Sequence, residues 1–171
     1  MTQHAPLFIV LLPVSAALLC MLFSRIQKNL GSWIVIASIA GAFLSAVSSL
    51  QQVIADGGKA LHYWMGNWQP PLGIEFVIDP ISGALAVLIT FISLLGAIYS
   101  LPFVKEEGWL HIGGYYTLYG LMTVGMCGMV ITGDVFNLYV FLEVMSLSGY
   151  GLIAIGGKKS MLAAFRYLLI G

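Results

Sequence analysis

The stretch TGDVFNLYVFLEVMSLSGYGLIAIGGKK runs from Thr132 to Lys159, and between Asp134 and Lys158 it contains a single formal charge, that of Glu143. An α-helix rises about 1.5 Å per residue, so about 20 apolar residues are needed to cross the hydrocarbon core of a bilayer. The segment Val135–Gly156 has that length and composition. The stretch therefore predicts a membrane-spanning helix that carries one acid.

The composition of the whole chain indicates the same class of protein. Hydrophobic residues make up 60% of the 171 residues and charged residues only 8%, whereas a soluble domain has about 25% charged residues. A chain with so little charge cannot cover a water-exposed surface, so lipid must be its solvent. The formal net charge of zero and the lack of a basic run argue against nucleic acid as a partner. Cys20 and Cys127 lie in apolar runs and are predicted to be packed side chains rather than a disulfide.

Five apolar runs are long enough to span a membrane: Ala5–Ser24, Gly31–Leu50, Pro80–Leu101, Gly113–Thr132 and Val135–Gly156. A sixth begins near Ser160 and stops at Gly171, and its dozen residues reach about 18 Å of the roughly 30 Å required. We predict an all-α fold, a polytopic transmembrane helical bundle of five full spans plus a truncated sixth, forming one domain over residues 1–171. We expect the chain to be a fragment or one piece of a split protein.

The basic residues predict the orientation of the bundle. If the segment after the first helix is cytoplasmic, only Lys59 lies outside, and the residues inside are Arg25, Lys28, Lys105, Lys158 and Lys159. Cytoplasmic loops carry an excess of Lys and Arg. We therefore predict a multi-pass protein of the cell inner (cytoplasmic) membrane with an extracytoplasmic N-terminus. No basic residue precedes the first apolar run, so that run is interpreted as a retained helix rather than a signal peptide.

The loop from Gln51 to Ile78 predicts a β-hairpin over the extracytoplasmic face. Its segments HYWMGNW and GIEFVI are aromatic or β-branched and are joined by Gln69-Pro70-Pro71-Leu72. Lys59, His62 and Glu75 are interpreted as solvated loop residues, with a role in proton exit as the alternative.

Two aspartates are placed to begin helices. Asp79-Pro80 is typical of an N-cap followed by proline at the first helical position, and Asp134 could cap the fifth helix in the same way. Direct involvement in transport is the alternative for both residues. Gly156-Gly157 is predicted to end the fifth helix.

Glu143 is the leading candidate for function. It lies about 4 Å along the helix axis from the middle of its span, where an ionised carboxylate costs at least about 2.5–3.5 kcal/mol. Acids in such places usually mark ion paths, and a proton relay is the function predicted here. The alternative is a structural glutamate that is protonated and hydrogen-bonded to a neighbouring helix.

The neighbours of Glu143 on its helix support a relay. Tyr139, Glu143, Ser146 and Tyr150 are spaced by four, three and four residues and form one stripe. Facing a bundle interior, this stripe could hold water and pass protons. Arg166, in the sixth run, is close enough to the cytoplasmic interface to snorkel there, or it contributes to a cytoplasmic proton entrance.

Other kinds of chemistry have no support in the sequence. There is no paired Cys/His spacing for a metal, no phosphate-cradling glycine loop and no nucleophile–base pair. Neither a metal nor a cofactor is predicted.

Three segments resemble a known family: LGIEFVIDPISGALAVLI (72–89), GDVFNLYVFLEVMSLSGYGLIAIG (133–156) and AAFRYLLIG (163–171). They are similar to the antiporter-like membrane subunits, which include the D-type component of Mrp sodium/proton antiporters and the pumping subunits of complex I and of membrane-bound hydrogenases. The run GD-x-FN-x-(Y/F)-VF-(L/F)-E resembles the Mrp D branch most closely. The resemblance extends over nearly the whole chain.

This resemblance implies a proton-channel subunit built from inverted five-helix repeats. It implies that Glu143 is the fifth-helix glutamate that the family needs for proton translocation. The family's partner lysine lies on a broken seventh helix, a position that this chain does not contain. The expected function is a proton-translocating subunit of a sodium/proton antiporter, acting on protons and sodium with other membrane subunits as partners. The alternatives are a pumping subunit of a complex I-like NADH-quinone oxidoreductase or energy-converting hydrogenase, and a structural membrane anchor.

Overall fold

The structure is a computed structural model that describes residues 4–27, 30–68, 73–104 and 109–170. The helices are α1 (Ala5–Ile26), α2 (Leu30–Ala55), α3 (Pro80–Val104), α4 (Trp109–Ile131), α5 (Val135–Ile155) and α6 (Lys158–Ile170), and the strands are β1 (Leu61–Trp64) and β2 (Glu75–Ile78). The first five helices are long and apolar enough to cross a membrane. The predicted fold class is therefore confirmed, including the short sixth helix of 13 residues.

The largest error in the predicted helix ends is at α2, where the loop was expected to begin at Gln51. The helix continues to Ala55 because glutamine is compatible with helix and the stop signal comes later. Gly57 and Gly58 have φ values of 72° and 82°. Their N–H groups donate to Ile54 O at 3.1 Å and to Val53 O at 2.8 Å, respectively. This pair of bonds is a Schellman motif, which satisfies the last carbonyls of the helix.

Both predicted aspartate caps are present. Ser82 N–H donates to Asp79 Oδ1 at 2.6 Å, and Asp79 N–H donates to Ser82 Oγ at 2.8 Å, which is a reciprocal capping box. The N–H of Ser82 is the main reason that the pKa of Asp79 lies below its usual value. Asp134 Oδ1 accepts from Phe136 N–H at 3.1 Å, and its Oδ2 accepts from Asn137 N–H at 3.3 Å. Both carboxylates thus have a structural use as helix caps.

The helices pack in an order that leaves α5 at one side. Helix α1 lies against α2 and α4, α3 lies against α2 and α4, and α5 lies against α4 and α6. Cys20 and Cys127 are buried and free, as predicted. Hydroxyl groups add polar contacts between α3 and α4: the Tyr116 hydroxyl lies 3.0 Å from Ser100 Oγ, and the Tyr119 hydroxyl donates to Ser93 O at 2.9 Å. Such interhelical hydrogen bonds stabilise helix pairs within a membrane.

The predicted hairpin is also confirmed, as an antiparallel pair of strands with Leu61 opposite Ile78 and Trp64 opposite Glu75. The residues expected to form its turn, 69–72, lie outside the described residues. One end of the bundle carries the hairpin, because His4 Nδ1 lies 3.0 Å from the Tyr63 hydroxyl. At the same end, β2 meets the connection between α4 and α5 through a bridge from Phe76 to Thr132. That this end is extracytoplasmic stays a prediction.

Candidate functional site: the outer face of helix α5

Glu143 lies near the middle of α5, two residues before Met145 at its centre, which is about 3 Å along the axis. Its side chain is half-buried. Helix α5 is the least buried of the five candidate spans, and the residues of α5 that are buried are Asn137, Phe141 and Ser148. The site is therefore built on a helix with one packed face and one open face.

Two glycines of α4 decide which face of α5 is packed. A Cβ atom added at Gly125 would lie 2.7 Å from Met145 Cβ and 2.8 Å from Phe141 O, and one added at Gly128 would overlap the Phe141 ring. The backbones of the two helices approach closely because these positions have no side chain. Glu143 is two residues beyond Phe141, which turns it by about 200° around the helix. Glu143 therefore faces away from α4.

The other members of the predicted stripe lie on the same outer face. Tyr139 is 61% exposed, and it precedes Glu143 by one turn of α5. Ser146 and Tyr150 are half-buried. The structure thus brings Tyr139, Glu143, Ser146 and Tyr150 into one line, but this line is not enclosed by the helices that the structure describes.

A groove of about 350 Å³ continues the stripe toward the C-terminal end of α5. Ser146 and Tyr150 form one wall, and Tyr167 of α6 lies with its ring centroid 6.0 Å from that of Tyr150. Met122 and Met126 of α4 form the opposite wall. The methionines and Tyr167 were not among the predicted site residues. The four-residue spacing of Met122 and Met126 was the available signal, since such residues share a helix face.

Arg166 is not part of this arrangement. It lies on α6 with an exposed side chain, and within the described ranges it forms no ion pair with Glu143. Within the same ranges, His62 and Glu75 are in contact and form an ion pair when the imidazole is protonated. The same residues contain no group of three His, Cys, Asp or Glu side chains placed to hold a metal ion.

A second polar cluster lies on the hairpin. His62 Nδ1 is 2.8 Å from Glu75 Oε1, and Trp64 Nε1–H donates to the same oxygen at 2.9 Å. These two hydrogen bonds hold the pKa of Glu75 below its usual value, and the bond from His62 has the larger effect. The Glu75 carboxylate is therefore held by two donors at the hairpin surface. The His62 side chain is 52% exposed, which agrees with its interpretation as a solvated residue.

No family model matches the chain, but curated relatives do. It is 40% identical over 171 residues to the N-type component of the NADH-quinone oxidoreductase of Desulforudis audaxviator, covering 100% of this chain and 34% of that protein. It is 30% identical over 153 residues to the D-type component of the Na(+)/H(+) antiporter of Bacillus subtilis, covering 90% of this chain and 30% of that protein. The chain thus spans about one third of the length of these relatives.

Solved structures agree with the sequence comparisons. A chain of the membrane-bound sulfane sulfur reductase, an archaeal respiratory membrane complex, matches with a TM-score of 0.87 and 28% identity, over 98% of this chain and 34% of that chain. A chain of the Mrp complex from Dietzia sp. matches with a TM-score of 0.79 and 26% identity, over 99% of this chain and 31% of that chain. This chain is therefore a homologue of the antiporter-like membrane subunits over the N-terminal portion of their length.

Proposed function

We propose that the chain is part of a proton-translocating membrane subunit in which Glu143 is the proton relay. The observation that carries the proposal is the position of Glu143: it lies half-buried at the middle of a span, on the face of α5 that also carries Tyr139, Ser146 and Tyr150. A carboxylate at this depth costs at least about 2.5–3.5 kcal/mol on insertion scales. A structural use would explain that cost if α4 bonded to the acid, but Glu143 faces away from α4.

The open face of α5 is covered by further membrane helices in this proposal. Acyl chains against Glu143 would leave its carboxyl without solvation, at the cost given above. The surfaces of α5 and α6 also expose large apolar side chains, among them Phe136, Leu147, Phe165 and Leu169. Relatives about three times as long as this chain have enough residues to supply such helices. The partners are therefore other membrane helices and subunits, with lipid around the rest of the bundle.

Each stripe residue has a distinct role. Glu143 accepts and releases a proton, and Tyr139, one turn earlier on the same face of α5, orients its carboxyl. The Ser146 and Tyr150 hydroxyls line a water path that continues into the groove beside Tyr167. The positive-inside rule assigns that end of α5 to the cytoplasm, which places Arg166 near the cytoplasmic interface of the cell membrane.

Two couplings are compatible with this site. Redox-driven pumping is supported by the relative of 40% identity, a component of an NADH-quinone oxidoreductase, and by the respiratory complex with a TM-score of 0.87. Sodium/proton antiport is supported by the antiporter component of 30% identity and by the Mrp complex with a TM-score of 0.79. We favour redox-driven pumping because both the sequence identity and the TM-score are higher for the redox-linked proteins.

The test of the relay is substitution of Glu143 in the full-length subunit within its complex. Everted membrane vesicles with a pH-sensitive dye report proton movement. We expect Glu143→Gln to abolish it and Glu143→Asp to retain part of it, because aspartate keeps the titratable group on a shorter side chain. Asp56→Asn, at the exposed end of α2, is the matched control and should transport normally. Unchanged transport by Glu143→Gln would remove this residue from the mechanism.

The same vesicles distinguish redox-driven pumping from sodium/proton antiport. Redox-driven pumping predicts a pH gradient on addition of an electron donor, whereas antiport predicts that sodium alone dissipates an imposed gradient. A structural anchor predicts a third pattern, in which Glu143→Ala prevents assembly of the complex and Glu143→Gln has no effect on transport.

A further inference from the structure

We infer that Phe76 of the hairpin is a positioning residue for Glu143, which it holds in place through its contact with Phe141. This inference rests on the proposed function of Glu143 and adds a structural element that the relay needs. The contact joins strand β2, which lies outside the spans, to the N-terminal half of α5.

Phe76 is buried on every side, with 1% of its surface exposed. Its ring centroid lies 6.5 Å from that of Phe141, with 33° between the ring planes. Phe141 precedes Glu143 by two residues on α5, so the two side chains differ by about 3 Å in height along the helix. A shift of the Phe141 ring is therefore passed directly to the backbone that carries Glu143.

Phe141 has no free space on its other side. The ring and carbonyl of Phe141 fill the space over Gly128 and Gly125, where added Cβ atoms would overlap them. The Phe141 side chain thus packs between α4 and strand β2. Interiors packed in this way respond to a lost side chain with a void or with movement of the neighbouring element. Helix α5 is the element that moves, because it buries few other residues.

Backbone contacts fix β2 against the start of α5. Gly133 N–H donates to Glu75 O at 2.9 Å, and Phe76 forms a bridge with Thr132. Asp134, the N-cap of α5, follows directly. The His62–Glu75–Trp64 hydrogen bonds in turn hold β2 to β1. The hairpin therefore constrains the chain just before α5 begins, and it contacts α5 again at Phe141, on the side opposite Glu143.

The test uses the full-length subunit in its complex and measures the rate of proton movement in everted vesicles as a function of pH. We expect Phe76→Leu to lower the rate about tenfold, since a displacement of about 1 Å far from a reacting group can cost as much as a hundredfold. We also expect the pH of half-maximal rate to shift, because the surroundings of Glu143 change. Ile39→Ala is the matched control: it is equally buried, but it lies in the separate core of α1–α4, and it should leave the pH profile unchanged.

A double-variant cycle distinguishes positioning from general damage to the fold. If Phe76 acts through Phe141, the combination of Phe76→Leu with Phe141→Leu slows transport less than the product of the two single effects. If Phe76→Leu prevents assembly, Gly133→Ala replaces it, since the added methyl would meet Val77 Cγ2 at 2.6 Å and displace β2, the strand that carries Phe76, from the start of α5. Gly114→Ala, which meets nothing within 4 Å, is its control.

The outcomes separate this inference from the proposed function. If Glu143→Gln transports normally, Glu143 is not the proton relay, and the positioning role of Phe76 is then refuted as well. If Glu143→Gln is inactive but Phe76→Leu and Gly133→Ala keep the wild-type rate and pH profile, only the positioning role is overturned. Independent, multiplying effects of Phe76→Leu and Phe141→Leu would also overturn it.

Discussion

Replacement of Gly125 by alanine tests the close approach of α4 and α5 that turns Glu143 outward. The added methyl carbon would lie 2.7 Å from both Cβ and N of Met145 and 2.8 Å from Phe141 O. Ordinary contact begins at 3.4 Å, so the approach is about 0.7 Å too close. Two of the three neighbouring atoms belong to the backbone, and a change of rotamer therefore cannot relieve the overlap. Helix α5 must move away from α4.

The magnitude follows from a comparison with Gly114, on the same helix, where an added methyl meets nothing within 4 Å. Both substitutions change glycine to alanine, so the gain in helix propensity of up to about 1 kcal/mol cancels between them. Overpacking in a well-packed interior costs about 1–3 kcal/mol. We therefore expect Gly125→Ala to be less stable than Gly114→Ala by about 1–3 kcal/mol, a factor of roughly 5–150 in the unfolding equilibrium.

The assay is unfolding of the full-length subunit in mixed micelles with an increasing fraction of denaturing detergent, followed by circular dichroism. Proton movement in vesicles is measured in parallel, and Gly125→Ala should also be the slower of the two variants. Equal stability of Gly125→Ala and Gly114→Ala would refute the packing argument, and with it the assignment of the outer face of α5 to Glu143.

Three further predictions concern stability, each measured by the same unfolding assay. The pKa of Glu75 is lowered in the folded state, so its pairing with His62 stabilises the hairpin above the usual glutamate pKa of about 4.3, and this stabilisation is lost as the pH falls through the lower folded value. Glu75→Gln should remove this part of the acid sensitivity. A variant whose stability has the same pH profile as the wild type would contradict the prediction. Asp79→Ala should cost about 1 kcal/mol through loss of the α3 cap, with Asp79→Asn close to wild type; equal losses in both would show that charge, not capping, matters. Tyr116→Phe removes the contact with Ser100 and should cost about 0.6 kcal/mol; a loss above several kcal/mol would indicate a different role for the hydroxyl.

The spans and caps could be predicted from the sequence because they depend on local features. A run of apolar residues is long enough to cross a bilayer whatever it packs against, and Asp79-Pro80 begins a helix through its own hydrogen bonds. The stripe of Tyr139, Glu143, Ser146 and Tyr150 follows from helical spacing in the same way.

The direction of that stripe could not be predicted, because it depends on contacts between distant segments. Helix α5 is apolar around most of its circumference, so its sequence does not indicate which face α4 covers. Gly125 and Gly128 decide this by admitting Phe141. The contact of Phe76 with Phe141 likewise joins residues far apart in the chain, and no local pattern in the hairpin indicates it.

A relay at Glu143 requires its carboxyl to gain and lose a proton during transport, and infrared difference spectroscopy on the full-length complex observes that event itself. We predict a carbonyl band of a protonated carboxyl that rises and falls as transport is driven, shifts in heavy water and is absent from Glu143→Gln. Proton movement at the wild-type rate with no such band assignable to Glu143 would contradict the relay.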